Sequence, residues 1–234
     1  MCRVVEPELL DDLPPADPRA VGSRADLRRL NFVLGHDDIL SRAFDDHLDE
    51  ASFRSRPLRV AELGAGDGRL LLRLAHRVAA LGLTAQVTLL DRQNVVSPET
   101  RRAFAALNWS IESVANDVFA WLEQPFFAVD MMIANLFLHH FSDELLTALL
   151  RLAAARTNLF IACEPRRSSF ALMTSRWLRL IGCNAITRHD AVVSVRAGFV
   201  GRELSALWPA DNQWQLSEQS AGWFSHCFIA KRNE

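Results

Sequence analysis

Apolar positions along this chain follow two rhythms. Val60, Ala61 and Leu63 make a short apolar run, and Leu70, Leu71, Leu74 and Val78 follow at helical spacing, so a buried strand leads into an amphipathic helix. Gln86 to Leu90 is a second strand ending at Asp91, Pro98 to Leu107 a helix, and Trp109 to Val114 a third strand. Phe126 to Ala134 is almost continuously apolar, as a central parallel strand buried on both faces must be. Leu145, Leu146, Leu149 and Leu150 then return to helical spacing. Thr157 to Cys163 reads as a fifth strand whose pairing stops at Pro165. Ser168 to Ile181 predicts an amphipathic helix carrying Phe170, Met173, Trp177 and Ile181. Trp214 to Ser220 and Trp223 to Arg232 alternate and are joined near Gly222, as in a hairpin. Strands alternating with helices predict an α/β fold.

Upstream of this series, residues 1–22 are rich in proline and acids and predict an extended or partly disordered arm. Ser23 is placed to cap a helix carrying Leu27, Leu30, Asn31 and Leu34, ending at Gly35. A second helix is expected to hold Ile39, Leu40, Ala43, Phe44 and Leu48. These helices (residues 23–56) either pack on the sheet edge or form a lid, with Arg28, Arg29 and Asn31 reaching inward. The insertion at 166–211 is long for a bare strand connection and suits a substrate roof. With no repeat or linker visible, residues 23–234 read as one domain.

The chemistry concentrates where the first strand meets its helix. Gly64, Gly66 and Gly68 form a tight turn with Glu62 before it and Asp67 inside it. Glycines let the backbone bend sharply and a ligand approach closely, and the first helical turn offers free N–H groups. A dinucleotide fingerprint needs G-x-G-x-x-G. Here the third glycine comes one residue early, Arg69 stands in its place, and two acids would repel a pyrophosphate. An acidic loop suits a cofactor with a cationic amino-acid end. Asp91, beside Arg92 at the end of the second strand, is positioned to accept hydrogen bonds from ribose hydroxyls.

Composition narrows the class further. The 234 residues are 50% hydrophobic and 23% charged, with net charge −2, which suits a soluble domain and shows no electrostatic footprint for nucleic acid. Lys231 is the only lysine and tyrosine is absent. Cys2, Cys163, Cys183 and Cys227 have no C-x-x-C spacing, so no zinc site, other metal site or disulfide framework is expected. No signal peptide or apolar run of membrane-spanning length is read. A reducing, cytoplasmic setting without membrane association follows as an expectation.

The pattern E-x-G-x-G-x-G at Glu62 to Gly68 resembles motif I of the class I S-adenosylmethionine-dependent methyltransferases. The resemblance spans roughly Leu58 to Arg232 in element order. It implies a Rossmann-like three-layer sandwich with a mostly parallel seven-stranded sheet and an antiparallel last strand. It also implies S-adenosylmethionine as cofactor, with Glu62, Gly64, Ala65, Gly66 and Gly68 around the methionine end and Asp91 and Arg92 at the ribose. Asp117 would meet the adenine amino group and Val118 would pack on the ring. Asn135 and Leu136, opening the segment Asn135-Leu136-Phe137-Leu138-His139-His140-Phe141, would again line the methionine end. Softer likenesses in DLRRLN, EPRRS and TRHDAVVSVRAGF point to bacterial enzymes acting on polyketide, quinone or similar natural products. The expected partner is a small-molecule methyl acceptor, and the chain a monomer or homodimer.

Methyl transfer needs a base only if the acceptor arrives protonated. Histidine, with an ordinary pKa of about 6.5, suits that task, so His139, His140 and His189 are the candidates. Each has an alternative role as a loop brace, His189 through Asp190. Arg166, Arg167, Arg188 and Arg196 are candidates to grip an acidic acceptor. Two other classes stay open: an NAD(P)-dependent oxidoreductase, disfavoured by the glycine spacing and the missing tyrosine, and a binding protein that keeps the pocket without turnover.

Overall fold

The computed structural model describes residues 1–47, 53–125 and 128–233. The expected Leu48 of the second helix, and Phe126 with Phe127 at the head of the fourth strand, lie outside the described residues. Seven strands form one sheet: β1 (Leu58–Leu63), β2 (Ala85–Asp91), β3 (Ser110–Ala115), β4 (Val129–Asn135), β5 (Thr157–Pro165), β6 (Trp214–Ala221) and β7 (Ser225–Arg232). Their order is β3-β2-β1-β4-β5-β7-β6. The first five pair in parallel, and β7 runs antiparallel to both β5 and β6.

Strand periodicity divides the core into two layers. Val60, Met131, Ile133, Leu159 and Ile161 face one apolar cluster, while Ala61, Leu63, Met132, Ala134, Phe160 and Ala162 face the other. The alternation is the period of two that a pleated strand imposes. The first cluster is closed by α2 (His36–His47), α3 (Arg69–Ala79) and α4 (Pro98–Ala106), through Phe44, Leu71, Leu74 and Phe104. The second is closed by α5 (Val118–Leu122), α6 (Asp143–Ala154) and α9 (Glu203–Leu207), through Leu122, Leu146, Leu150 and Leu204. Helices on both faces of a largely parallel sheet make the three-layer, Rossmann-like sandwich. No helix among the described residues is long and apolar enough to cross a membrane.

Three segments differ from the pattern-based reading. Strand β5 runs on through Pro165, which pairs with Ser225 of β7 instead of ending the pairing. Helix α1 runs Pro18–Val33, starting earlier than expected, because Asp17 caps it and Pro18 suits its first position. Ser23 is therefore not the cap; it lies mid-helix, buried, and its hydroxyl bonds the Thr187 hydroxyl across the roof. The expected helix from Ser168 to Ile181 is shorter: α7 spans Ser169–Ser175 and gives way to a 3-10 stretch, Arg176–Ile181. Its apolar face is not buried in the core, since Phe170, Met173, Trp177 and Ile181 are all exposed. The 166–211 insertion continues with α8 (Ala185–Ala197), joined to α1 where Asp26 accepts from Asn184 N (2.8 Å) and the Thr187 hydroxyl (3.1 Å), and ends with α9 packed on the second core layer.

Residues 1–17 contain no helix or strand, yet they are fixed along the C-terminal edge of the sheet. Arg3 bonds Ala197 O, Phe141 O and Asp143, and lies over the Phe199 ring. The backbone N–H groups of Leu9 and Leu10 donate to the two carboxylate oxygens of Asp190. Leu13 O accepts from the Gln93 side chain beyond β2.

Candidate active site

The glycine turn sits at the C-terminal ends of β1 and β2, where ligands bind in open α/β sheets. Gly64, Gly66 and Gly68 all have positive φ, of 67°, 53° and 71°. Their neighbours differ. A Cβ on Gly64 would lie 2.3 Å from the Phe137 ring, whereas one on Gly66 would meet nothing within 4 Å. Gly64 is thus required by packing, and Gly66 borders open space. Gly68 leads into α3, with its N–H bonded to Ala65 O, and the buried Ala65 donates to Leu90 O. Asp91 holds the turn from β2, accepting from Gly66 N at 2.8 Å and from Gln93 N at 2.9 Å. Arg28 of α1 reaches Asp67 at 3.0 Å, so the first helix does reach inward to the loop.

Two buried acids on neighbouring central strands show what is unusual here. Asp130, at the N-terminal end of β4, is held by Arg56, Arg59 and Arg59 N–H. Burial opposes its ionisation, but these donors keep its carboxyl below the ordinary range. Glu62, at the opposite end of β1, has no such donors. Burial, together with the nearby Asp67 and Asp91, pushes its carboxyl well above the ordinary range. Its Oε2 has no hydrogen-bond partner among the described residues, and neither has Oδ1 of buried Asn135 at the end of β4. A buried polar atom without a partner costs about 1–3 kcal/mol, so this end of the sheet carries acceptors left for a donor. Perturbed, unpaired groups of this kind mark functional sites.

After β4 the backbone turns through Leu136, one of two non-glycine residues with positive φ among the described residues, at 51°. Such strain persists where the surroundings impose it. Here Leu136 N is tied to Cys163 O on β5. The following 3-10 turn, Leu138–His140, is capped by Glu164, fully buried at the end of β5. Glu164 accepts from the N–H groups of Phe137 (3.0 Å) and Leu138 (2.8 Å) and from His139 Nδ1 (2.8 Å).

The three histidines fall into two settings, both under the N-terminal segment. His139 is buried, with Glu164 on Nδ1 and Glu8 on Nε2 at 3.2 Å. Burial opposes its charge, but the two carboxylates prevail and raise it to about 9. Both ring nitrogens are thus engaged, the arrangement of the loop brace. His140 bonds Phe137 O through Nδ1 at 3.0 Å and turns Nε2 toward Glu8, at 3.4 Å, so it too is committed. His189, on α8, is exposed and bonds Asp190 through Nδ1 at 3.0 Å, leaving Nε2 outward.

The adenine end is simpler. Asp117 caps α5, accepting from Phe119 N and Ala120 N, and its exposed position leaves room for a second partner. Val118 is buried beside it, and Arg92 is exposed beyond Asp91. Of the candidate arginines, Arg167 is buried and bound to Gly198 O, Glu203 and Met1 O, a structural role.

Sequence reasoning missed three residues. Glu164 ends β5 as Glu62 nears the end of β1, a parallel that periodicity alone could have flagged. Glu8 carries no local signal, since its partners are 131 and more residues away. His36, at the start of α2, is buried against Ser225 Oγ at 3.0 Å, near Asn135 and Glu164, and burial lowers it to about 4.

Residues 60–158 match the model of a methyltransferase domain family. The matched stretch takes in the glycine turn, Asp91, Asp117 and the turn after β4. Solved structures with the same fold include the plantazolicin methyltransferase BpumL, solved with a monoazolic desmethylPZN analog and SAH: 14% identity, 93% of this chain, 92% of that one, TM-score 0.63. An O-methyltransferase family protein from Burkholderia thailandensis is 19% identical over 94% of this chain and 61% of its own, TM-score 0.61. The mitomycin 7-O-methyltransferase MmcR is 16% identical over 96% and 60%, TM-score 0.61. This chain thus spans about three fifths of the latter two. No curated protein matches it.

Proposed function

We propose that the chain methylates a hydroxyl group, of a phenol, enol or similar natural product, from S-adenosylmethionine held on the glycine turn. The observation that carries the reading is a buried carboxylate oxygen without a donor, Glu62 Oε2, beside a glycine with open space. A cationic amino-acid end supplies a charged ammonium donor, a group that NAD(P) does not carry. When bound, the cofactor supplies a methyl group on a sulfonium leaving group, which passes in line to the acceptor oxygen. The chain's own part is to hold, align and exclude water. Positioning of this kind is worth about 7–11 kcal/mol.

Glu62, Gly64, Ala65, Gly66, Gly68, Asn135 and Leu136 form the methionine end of this reading, Asp91 and Arg92 the ribose end, and Asp117 with Val118 the adenine end. Residues 23–47 act as a lid through Arg28, and 166–211 as a roof over the acceptor. His189 is the proposed base: Asp190 holds Nδ1, and Nε2 is left to take the hydroxyl proton. The likeness to two O-methyltransferase folds supports oxygen as the site of transfer.

Calorimetric titration with S-adenosylhomocysteine tests the cofactor reading. One-site micromolar binding is expected, with no heat from NAD(P); the reverse pattern overturns it. His189→Ala should then cut turnover of a phenolic acceptor by about 10²-fold or more with unchanged S-adenosylhomocysteine affinity. Unchanged turnover removes His189 from the reaction. Cofactor binding without transfer to any acceptor would instead favour a binding protein.

A further inference from the structure

We propose that Glu8, His139 and His140, with Asp11 alongside, form a site for one divalent transition-metal ion of the zinc type. The site lies where the N-terminal segment crosses the turn after β4. Among the described residues these three form one group whose donor atoms all lie within 4.8 Å of one another. His139 Nε2 is 3.2 Å from Glu8 Oε1, His140 Nε2 is 3.4 Å from Glu8 Oε2, and Asp11 Oδ2 is 3.8 Å from His140 Nε2. Zinc bonds to imidazole nitrogen and carboxylate oxygen are about 2.0–2.2 Å. At a tetrahedral angle, that radius separates neighbouring donors by roughly 3.3–3.6 Å. The observed separations match within a few tenths of an ångström, with His139 facing one oxygen of the Glu8 carboxylate and His140 the other.

The orientation of the rings carries more than the distances. Each histidine has an acceptor at Nδ1: the Glu164 carboxylate for His139 and the Phe137 carbonyl for His140. An acceptor there requires Nδ1 to carry hydrogen, so an ion that displaces the proton between His139 and Glu8 finds the lone pair on Nε2. Both Nε2 atoms point at the same carboxylate, with ring centroids 4.3 Å apart. Metal-bound histidines are fixed in this way, by a carboxylate or carbonyl on the far nitrogen. One imidazole would suffice to pair with Glu8; two with fixed tautomers describe a ligand set. Two nitrogens and one or two carboxylates favour zinc, cobalt or iron(II) over calcium and magnesium, which take oxygen ligands. The ion would fasten residues 8–11 to the turn that follows Leu136. The inference stands apart from the methyl-transfer reading, because it needs neither cofactor nor acceptor.

The test strips the full chain with a chelator and titrates it with Co²⁺, reading visible absorption, then displaces the cobalt with Zn²⁺. One equivalent with the intense bands of a low-coordinate nitrogen–oxygen site is expected, with a raised melting temperature. Glu8→Gln should weaken Co²⁺ binding by at least 10-fold. Glu164→Gln, which meets His139 on the side away from Glu8 and keeps an oxygen for the Phe137 and Leu138 N–H groups, should weaken it by about 10–100-fold. Asp11→Asn changes an exposed side chain and should leave folding intact while lowering affinity by less. Absence of a stoichiometric cobalt spectrum from the folded chain overturns the site and leaves a buried ion pair. Equal affinity in Glu8→Gln and Asp11→Asn does so too, by placing the ion elsewhere.

Discussion

Along the β1–β2 side of the sheet's C-terminal edge, shape comes from backbone: three residues with positive φ, a strand-end acid and free helix N–H groups, all within residues 62–91. Along the β4–β5 side it comes from side chains far apart in sequence. Glu8 meets His139, Arg3 meets Asp143, Asp190 meets Leu9 and Leu10, and Asp26 meets Thr187. The first side is a rigid local loop, which is all that the proposed cofactor site needs. The second is assembled from pieces that can change separately.

The sharpest way to break this comparison is inside the loop itself. Gly64→Val drives a side chain into Phe137 at a positive φ, combining overpacking with backbone strain. It should cost about 3–5 kcal/mol of unfolding free energy, read by denaturant titration. Gly66→Val has no such clash and should cost only the strain, about 1–3 kcal/mol. Yet it should abolish S-adenosylhomocysteine binding, because its side chain enters the open space. Equal destabilisation by the two would mean that the turn is purely structural.

Asp91→Ala should weaken S-adenosylhomocysteine binding by about 1.5–3 kcal/mol, the worth of hydrogen bonds to a charged group. Part of that loss will come through the turn, since Asp91 also holds Gly66 N. Asp91→Asn keeps an acceptor for one of those bonds and should recover part of the affinity. An unchanged dissociation constant in both variants would remove Asp91 from the ribose.

Glu62→Gln separates stability from binding. In the folded chain the Glu62 carboxyl is raised, so its contribution to stability is full below the ordinary carboxylate pKa. That contribution is lost as pH rises through the raised value. The cofactor-free protein therefore gives up stability at neutral pH to keep this acid. Glu62→Gln should raise its melting temperature at pH 7, flatten this part of the pH dependence, and weaken S-adenosylhomocysteine. A lower melting temperature at pH 7 would mean that Glu62 has a partner in solution.

The same contrast explains what was legible in the sequence. The order of strands and helices, the turn at Gly64 to Gly68 and Asp91 follow from periodicity and short-range spacing, and the structure holds them together. The neighbours of His139 do not follow, because no local pattern links position 8 to position 139. His139 therefore looked available as a base when it is clamped between two acids. Helix α7 misled for the opposite reason. Its spacing is helical, but its apolar side faces no core, since the sheet ends beneath the roof.

The smallest predicted effect tests whether the roof is a separate unit. Asp26 is buried between α1 and α8, where it accepts from Asn184 N and the Thr187 hydroxyl and pairs with Arg29. Asp26→Ala removes those bonds without touching the sheet. If the roof opens by itself, as locally stabilised regions do, global unfolding should change by only about 1 kcal/mol. Hydrogen exchange should then accelerate in α1 and α8 while the strands stay protected, and S-adenosylhomocysteine affinity should change less than in Asp91→Ala. Uniform acceleration through β1 and β4 would instead show that roof and sheet unfold as one, and that the side-chain half of this edge is as rigid as the backbone half.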